Sequence, residues 1–273
     1  MVVVDIHTHV LPGLDDGADS MEEAVAMLRT AEEAGIASAI ATPHFLMKDE
    51  WESYIHAAQL SFAELTKQAA GNGLGISLHL GFEVEFDSGL LNINDVTPLT
   101  LAGTGVYLLL ELPLNQIPPC VEEVLFRVLV KGVIPIIAHP ERNAVVYHQP
   151  EFLHWLVEQG ALLQVNAGSL LGVFGTRVRE VAWSLLEAKM VHVIASDMHR
   201  KSGHRGVCYG QVKQELQGRI EPHYLKALLE DNPSAVLAGR EVKVEDPLPL
   251  PRFGVKPPWW QRILGRLKGS NEI

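Results

Sequence analysis

The sequence predicts an α/β protein built on a parallel sheet: a closed or nearly closed (β/α) barrel, with an open doubly wound sheet as the alternative. Apolar runs short enough for strands alternate with helix-like amphipathic stretches along the chain. Those runs are rich in Val, Ile, Leu and Ala without a polar face, as expected of strands covered by helices on both sides. At 273 residues, with no internal linker, the chain suits one barrel-sized domain.

The first strand covers residues 1–6 and runs into Asp5-Ile6-His7-Thr8-His9, then the turn Leu11-Pro12-Gly13-Leu14-Asp15-Asp16-Gly17. Ser20 caps the next helix, with Glu22 and Glu23 at its positive end and Ala24, Leu28, Ala31 and Ala34 at helical spacing; Gly35 closes it. A second strand, 36–41, ends in Thr42-Pro43-His44, and a long helix over about 51–70 stops at Gly71-Asn72-Gly73. The third strand, 76–80, leads into Gly81-Phe82-Glu83-Val84-Glu85, and the fourth, 106–111, ends in Glu111. Pro118 and Pro119 open a helix that Gly132 ends, and the fifth strand, 133–138, leads to His139-Pro140-Glu141-Arg142. Helices near 150–159 and 177–188 precede the sixth strand, 161–166, and the seventh, 191–195, which ends in Ser196-Asp197-Met198-His199. Helices over about 210–229 and a short one from Asn232 complete the pattern.

Hydrophobic residues make up 47% of the chain, enough for a sizeable core. The net charge of −11 argues against a nucleic-acid partner, because phosphate backbones are bound by basic surfaces. Cys120 and Cys208, the two cysteines, have no metal-site or disulfide spacing, and the acidic surroundings of Cys120 do not suit a phosphate-binding nucleophile. There is no basic n-region at the start and no apolar run near the roughly 18 residues of a spanning helix, so the expected location is the cytoplasm.

His7, His9, His44, Glu83, Glu111, His139, Asp197 and His199 each fall at the C-terminal end of an expected strand. In a barrel those ends share one face, where active sites form. Converging carboxylates repel one another unless neutralised, and imidazole mixed with carboxylate, without thiolate, suits Mn, Fe, Zn or Mg. The number of candidates implies two or three ions. Spacing alone leaves Asp15 against Asp16, and Glu83 against Glu85, unresolved. His56, His79, His148, His154 and His192 lack such placement and read as ordinary surface or core histidines.

D-I-H-T-H, L-D-D-G, T-P-H, G-F-E, L-L-L-E, A-H-P-E-R, N-A-G-S and S-D-M-H, in that order, resemble the PHP (polymerase and histidinol phosphatase) superfamily, specifically its bacterial capsule-type protein-tyrosine phosphatases. The resemblance implies a distorted seven-stranded PHP-type barrel, TIM-barrel-like, with a trinuclear and usually manganese-dependent site. It implies one metal on His7, His9, Glu83 and Asp197, a second on Glu83, Glu111 and His139, and a third on Asp16, His44 and His199. By the same resemblance Asp16 is the ligand of the acidic pair, and Arg142 and Arg205 are candidates for phosphate contact, suited by their guanidinium forks. The implied activity is hydrolysis of phosphotyrosine on a protein, a bacterial tyrosine autokinase that controls capsular or exopolysaccharide synthesis. The alternatives are a histidinol-phosphate or other small-molecule phosphatase of the superfamily, and a catalytically silent scaffold.

The domain is expected over residues 1–240, followed by a Pro-rich linker and a basic amphipathic tail over 241–273. Residues 252–273 carry five Lys/Arg and one Glu. Trp259, Trp260, Ile263, Leu264 and Leu267 fall on one helical face beside Arg262 and Arg266, which suits peripheral contact of 259–268 with the inner face of the plasma membrane. Packing on the barrel or on another subunit is the competing expectation for that face.

Overall fold

The computed structural model describes residues 2–48, 50–250 and 253. Nine strands form two sheets among these residues, and every pairing is parallel. The smaller sheet has the order β1 (Val3–Thr8), β2 (Ile36–Ala41), β4 (Ser77–Leu80). The larger is β3 (His44–Phe45), β5 (Glu83–Glu85), β6 (Tyr107–Glu111), β7 (Ile134–Ala138), β8 (Leu162–Asn166), β9 (Val193–Ala195). The expected α/β class is therefore present, whereas the strand pairing forms two sheets and not one closed ring.

The division has a local cause. Thr42 and Pro43 separate β2 from β3, and proline supplies no N–H to continue a ladder. Gly81 and Phe82 separate β4 from β5 at the matching level, with Gly81 N donating to Ala41 O at 2.9 Å and Glu83 N to Pro43 O at 3.2 Å. Glu83 thus opens a short strand of its own, where the sequence placed it just beyond strand three. Across the remaining seam, Asp197 N donates to His7 O at 3.0 Å and His9 N to Met198 O at 2.9 Å.

Both sheets contribute to one inner core. Val4 and Ile6 of β1, Ile40 of β2, Tyr107 and Leu109 of β6, Ile136 of β7, Leu162 of β8 and Val193 of β9 pack together. Residues of the opposite parity, such as Leu108, Leu110, Ile137, Leu163 and Val165, pack in a second core with the helices. Those include α1 (Met21–Glu33), α2 (Trp51–Gly71), α3 (Val121–Val130) and α4 (Glu151–Glu158), then α5 (Ala167–Leu171), α6 (Thr176–Glu187), α7 (Tyr209–Leu216), α8 (Pro222–Lys226) and α9 (Asn232–Leu237). Ser20 caps α1 as expected, its Oγ accepting from Glu23 N at 3.2 Å.

Beyond α9 the chain is fastened to the body. Tyr107 Oη donates to Arg240 O at 2.8 Å and accepts from Val242 N at 3.1 Å, while Leu248 N donates to Ala188 O at 2.8 Å. Leu250 N donates to His154 Nε2 at 3.1 Å, and the Phe253 ring stacks on Tyr147. The described part of the expected linker therefore packs on the body; the amphipathic segment 259–268 lies outside the described residues.

Candidate metal centre

The inward positions at the C-terminal ends of the strands turn from apolar to ionisable. Register places Glu83 beside Leu109, and Glu111 beside Ala138, which in turn faces Gln164. The inner core thus forms an apolar floor under a layer of acids and imidazoles.

All nine expected metal residues meet there. His9, Asp16, His44 and His199 form one group whose nitrogen and oxygen atoms lie within 4.8 Å of one another, and His7, His9 and Asp197 form a second. His7, Glu83 and His139 make a third, and His44, Glu83 and Glu111 a fourth. Glu83 is completely buried at the centre. Its Oε2 lies 3.2 Å from His7 Nε2, 3.2 Å from His9 Nε2 and 3.0 Å from His44 Nδ1, and its Oε1 lies 2.8 Å from His139 Nε2.

Backbone geometry aims these groups. His139, directly after β7, and Asp197, two residues after β9, have φ of 31° and 52°, a left-handed region that costs non-glycine residues energy and is found where a site dictates the side-chain direction. Gly17 of L-D-D-G lies against His9, and a Cβ there would stand 2.1 Å from the His9 carbonyl oxygen, so only glycine lets the acidic turn fold back. That turn divides its two acids. Asp15 points inward, accepting from His44 N at 3.1 Å and lying 2.7 Å from His9 Nδ1. Asp16 Oδ1 faces His199 Nε2 at 3.1 Å and His44 Nε2 at 3.5 Å. Glu83 is at the centre, whereas Glu85 is exposed on the wall of the adjoining cavity.

The electrostatics are those of a site holding more charge than it can itself balance. Burial opposes protonation of His7, but the carboxylates of Glu83 and Asp197 prevail and raise it to about 9. His9 is raised well above its ordinary value against the same burial, through Asp15, Asp197 and Glu83. Burial works against ionised Asp15, yet the hydrogen bond from His9 takes it down to about 2. His199 is driven down to about 3 by burial and by the neighbouring His9 charge. Glu111 is raised by burial and then by Glu83.

The residues fit divalent cations. Glu83 Oε2 and His199 Nε2 are buried, and although charged or imidazole groups lie within 3.2 Å of each, none is oriented to hydrogen-bond it, which is costly for a polar atom unless a cation takes the lone pair. Mixed imidazole and carboxylate donors match first-row metals and Mg.

Arg142 Nη1 donates to Asp197 Oδ2 at 3.1 Å, and its guanidinium lies over the Phe174 ring, 4.6 Å from the centroid. Arg205 Nη1 donates to Asp16 Oδ2 at 2.6 Å. Both arginines thus stand at the cluster, each on an expected ligand. Sequence reasoning gave no site role to Gln164, to Asn166 (which opens N-A-G-S), to Phe174 or to Arg200, whose Nη1 donates to Asp16 O at 3.0 Å and His199 O at 2.9 Å. The first two carry a signal: polar side chains alternating on the inward parity of an otherwise apolar strand.

The family described as capsular polysaccharide synthesis, CpsB/CapC, matches residues 3–238. The chain belongs to the CpsB/CapC family. Among its relatives, the tyrosine-protein phosphatase YwqE of Bacillus subtilis (strain 168) is 36% identical over 205 residues, 72% of this chain and 77% of its own length. The tyrosine-protein phosphatase CpsB of Streptococcus pneumoniae is 26% identical over 242 residues, 86% of this chain and 98% of its own. A crystal structure described as YwqE from Bacillus subtilis and CpsB from Streptococcus pneumoniae, unique metal-dependent tyrosine phosphatases, matches with a TM-score of 0.82 and 29% identity. It covers 91% of this chain and 100% of that one. A phosphotriesterase homology protein from Escherichia coli, at TM-score 0.54 and 12% identity over 85% of this chain and 97% of that one, shares the fold alone.

The raised His7 makes a testable prediction. Its value of about 9 exceeds the ordinary 6.5, so its ion pairs stabilise metal-free protein fully below pH 6.5 and are lost as pH rises through 9. A cation held by His7 would take the place of that proton. Thermal unfolding from pH 6.5 to 9 should show the Tm of EDTA-treated protein falling relative to Mn²⁺-loaded protein; a constant gap would contradict the assignment.

Proposed function

We propose that this chain is a metal-dependent phosphomonoesterase that hydrolyses phosphotyrosine on a protein, a bacterial tyrosine autokinase of exopolysaccharide synthesis. The observation that carries this is the meeting of nine acids and imidazoles, eight of them around the buried carboxylate of Glu83, beside a cavity with apolar walls. The names of the relatives supply the substrate. We further infer that the two sheets are halves of the distorted seven-stranded PHP barrel, which their shared inner core supports.

His7, His9, Glu83 and Asp197 would hold one cation, Glu83, Glu111 and His139 a second, and Asp16, His44 and His199 a third, with Mn²⁺ the expected ion. When bound, the cations supply Lewis-acid charge that lowers the pKa of water and offsets charge on the phosphoryl group. Arg142 and Arg205 then bind phosphoryl oxygens with their forked donors, Arg142 held in plane by Phe174. Neither cysteine is needed as a nucleophile, and burial pushes the Cys208 thiol up to about 12.

Beside the cluster lies a cavity of about 590 Å³ that shares Asp16, His44 and Glu111 with it and is walled by Leu14, Leu46, Trp51 and Tyr54. Tyr54 is fixed by donating its hydroxyl to His44 O at 2.7 Å. An aryl group attached to a phosphate at the cluster gains apolar contact there, which a small polar alcohol would not.

A phosphotyrosine peptide should therefore turn over at least tenfold more efficiently than histidinol phosphate, and Trp51→Ala should narrow that ratio by raising KM for the peptide. Steady-state kinetics on both substrates decide it, and a preference for histidinol phosphate would reject the tyrosine reading. Arg142→Ala should lower kcat by at least tenfold with metal content retained, measured by elemental analysis; unchanged kinetics would confine Arg142 to its ion pair with Asp197.

We also propose that the domain over 1–240 continues into an extension over 241–273 whose residues 241–250 pack on the body, that 259–268 binds anionic membrane at the cytoplasmic face, and that the protein is cytoplasmic. Its support is the sequence: tryptophan favours the headgroup layer, and each basic residue near anionic lipid contributes about 1 kcal/mol. No helix among the described residues is long and apolar enough to cross a membrane. Full-length protein should sediment with phosphatidylserine vesicles in a salt-sensitive way, and protein ending near Pro247 should not; equal recovery of both in the supernatant would discard membrane contact.

A further inference from the structure

β8 carries Gln164 and Asn166 on its inward parity, both completely buried, and neither is an expected metal ligand. Together they connect two residues that are. Gln164 Oε1 lies 2.9 Å from His7 Nδ1, Gln164 Nε2 donates to Asn166 Oδ1 at 2.8 Å, and Asn166 Nδ2 donates to Asp197 Oδ2 at 2.7 Å.

The direction of this relay is set at its far end. Asp197 Oδ2 also accepts from Arg142 Nη1 at 3.1 Å, and a guanidinium offers donors only, so Oδ2 serves as an acceptor. Asn166 therefore turns its NH₂ to Asp197 and its carbonyl to Gln164. Gln164 must in turn give its NH₂ to Asn166 and its carbonyl to His7. Reversing either amide alone would oppose oxygen to oxygen or NH₂ to NH₂ with no solvent to relieve the mismatch. With a cation in place of its second proton, His7 would keep the proton on Nδ1 and offer a lone pair on Nε2. That Nε2 is 3.1 Å from His9 Nε2 and 3.5 Å from Asp197 Oδ1. His9 has the same polarity, because its Nδ1 lies 2.7 Å from the Asp15 carboxylate.

We propose that Gln164 and Asn166 are positioning residues that jointly fix the tautomer of His7 and the orientation of Asp197, so that both offer lone pairs to one divalent cation. This rests on the metal-dependent reading above. A carbonyl behind a ligating imidazole holds the ring and raises its basicity, and a donor on one carboxylate oxygen leaves the other facing the cation. Because one amide pair serves both ligands, removing either amide loosens both.

Gln164→Met and Asn166→Leu keep approximate volume and remove the amides. Calorimetric titration of Mn²⁺ into EDTA-treated protein should show one equivalent weakened about 10–100-fold in each variant, the usual effect of losing a residue that supports a ligand. Gln164→Glu, which keeps an acceptor for His7, should recover part of the affinity lost in Gln164→Met. In Zn²⁺-loaded wild type, imidazole ¹⁵N resonances should place the His7 proton on Nδ1 and the metal on Nε2, a readout that needs no variant to fold. Zinc on His7 Nδ1, or unchanged Mn²⁺ affinity in variants with wild-type circular dichroism, would overturn the relay while leaving the metal centre standing. A wild type that takes up neither ion would instead overturn the metal-dependent reading, and the relay with it.

Discussion

The Glu83 carboxylate has no solvent exposure and three imidazole nitrogens within 3.2 Å of one oxygen, and the strand ends are arranged around it. An ionised carboxylate above an apolar floor is strongly disfavoured unless positive charge surrounds it. His7, His9, His44 and His139 bring ring nitrogens to it, and they come from three different strand ends, His7 and His9 sharing that of β1. Each strand must therefore deliver its last residue to one point, and packing of Leu109, Ile136 and Leu162 beneath sets the level at which they meet.

The break between the sheets serves the same end. A continuous ladder through residues 41–44 would carry the chain past the centre with the regular two-residue alternation of a strand. Pro43 and Gly81 interrupt the pairing at matching positions, and His44 and Glu83 restart it side by side as partners in β3 and β5. The positive φ at His139 and Asp197 is a second departure from regularity at the same level. Both departures turn an ionisable side chain toward the same level of the fold.

Much of this was legible in the sequence, for identifiable reasons. Strand ends such as Leu110-Glu111 and Ala138-His139 pair a buried apolar run with an ionisable residue, and that contrast survives without any knowledge of pairing. The split of β4 from β5 was not legible, because it depends on register between strands distant in sequence. Spacing alone did not separate Asp15 from Asp16, adjacent residues of one chemistry, and only the resemblance named Asp16; in the structure Gly17 packs on the His9 carbonyl where the turn folds back. Gln164, and Asn166 of N-A-G-S, carried no assigned role because their importance is relational: neither carries charge, and their roles exist only once β8 lies between His7 and Asp197. Residues 241–250 looked like a linker from their prolines, but Tyr107 Oη and Ala188 O bind them to the body.

That last attachment bears on how the molecule divides its labour. The hydroxyl of Tyr107 lies at the N-terminal end of β6, and Glu111 at the other end of the same strand lies in the candidate centre. Residues 240–242 accept and donate at that hydroxyl, and Val242 joins the inner core directly. One end of the strand layer is thereby covered by the chain's own extension, and the polar groups there are satisfied by backbone. At the opposite end, buried Glu83 Oε2 and His199 Nε2 make no hydrogen bond with the chain. A single five-residue strand thus separates an end where the chain satisfies itself from an end where it does not, and affinity for an external cation belongs to the second.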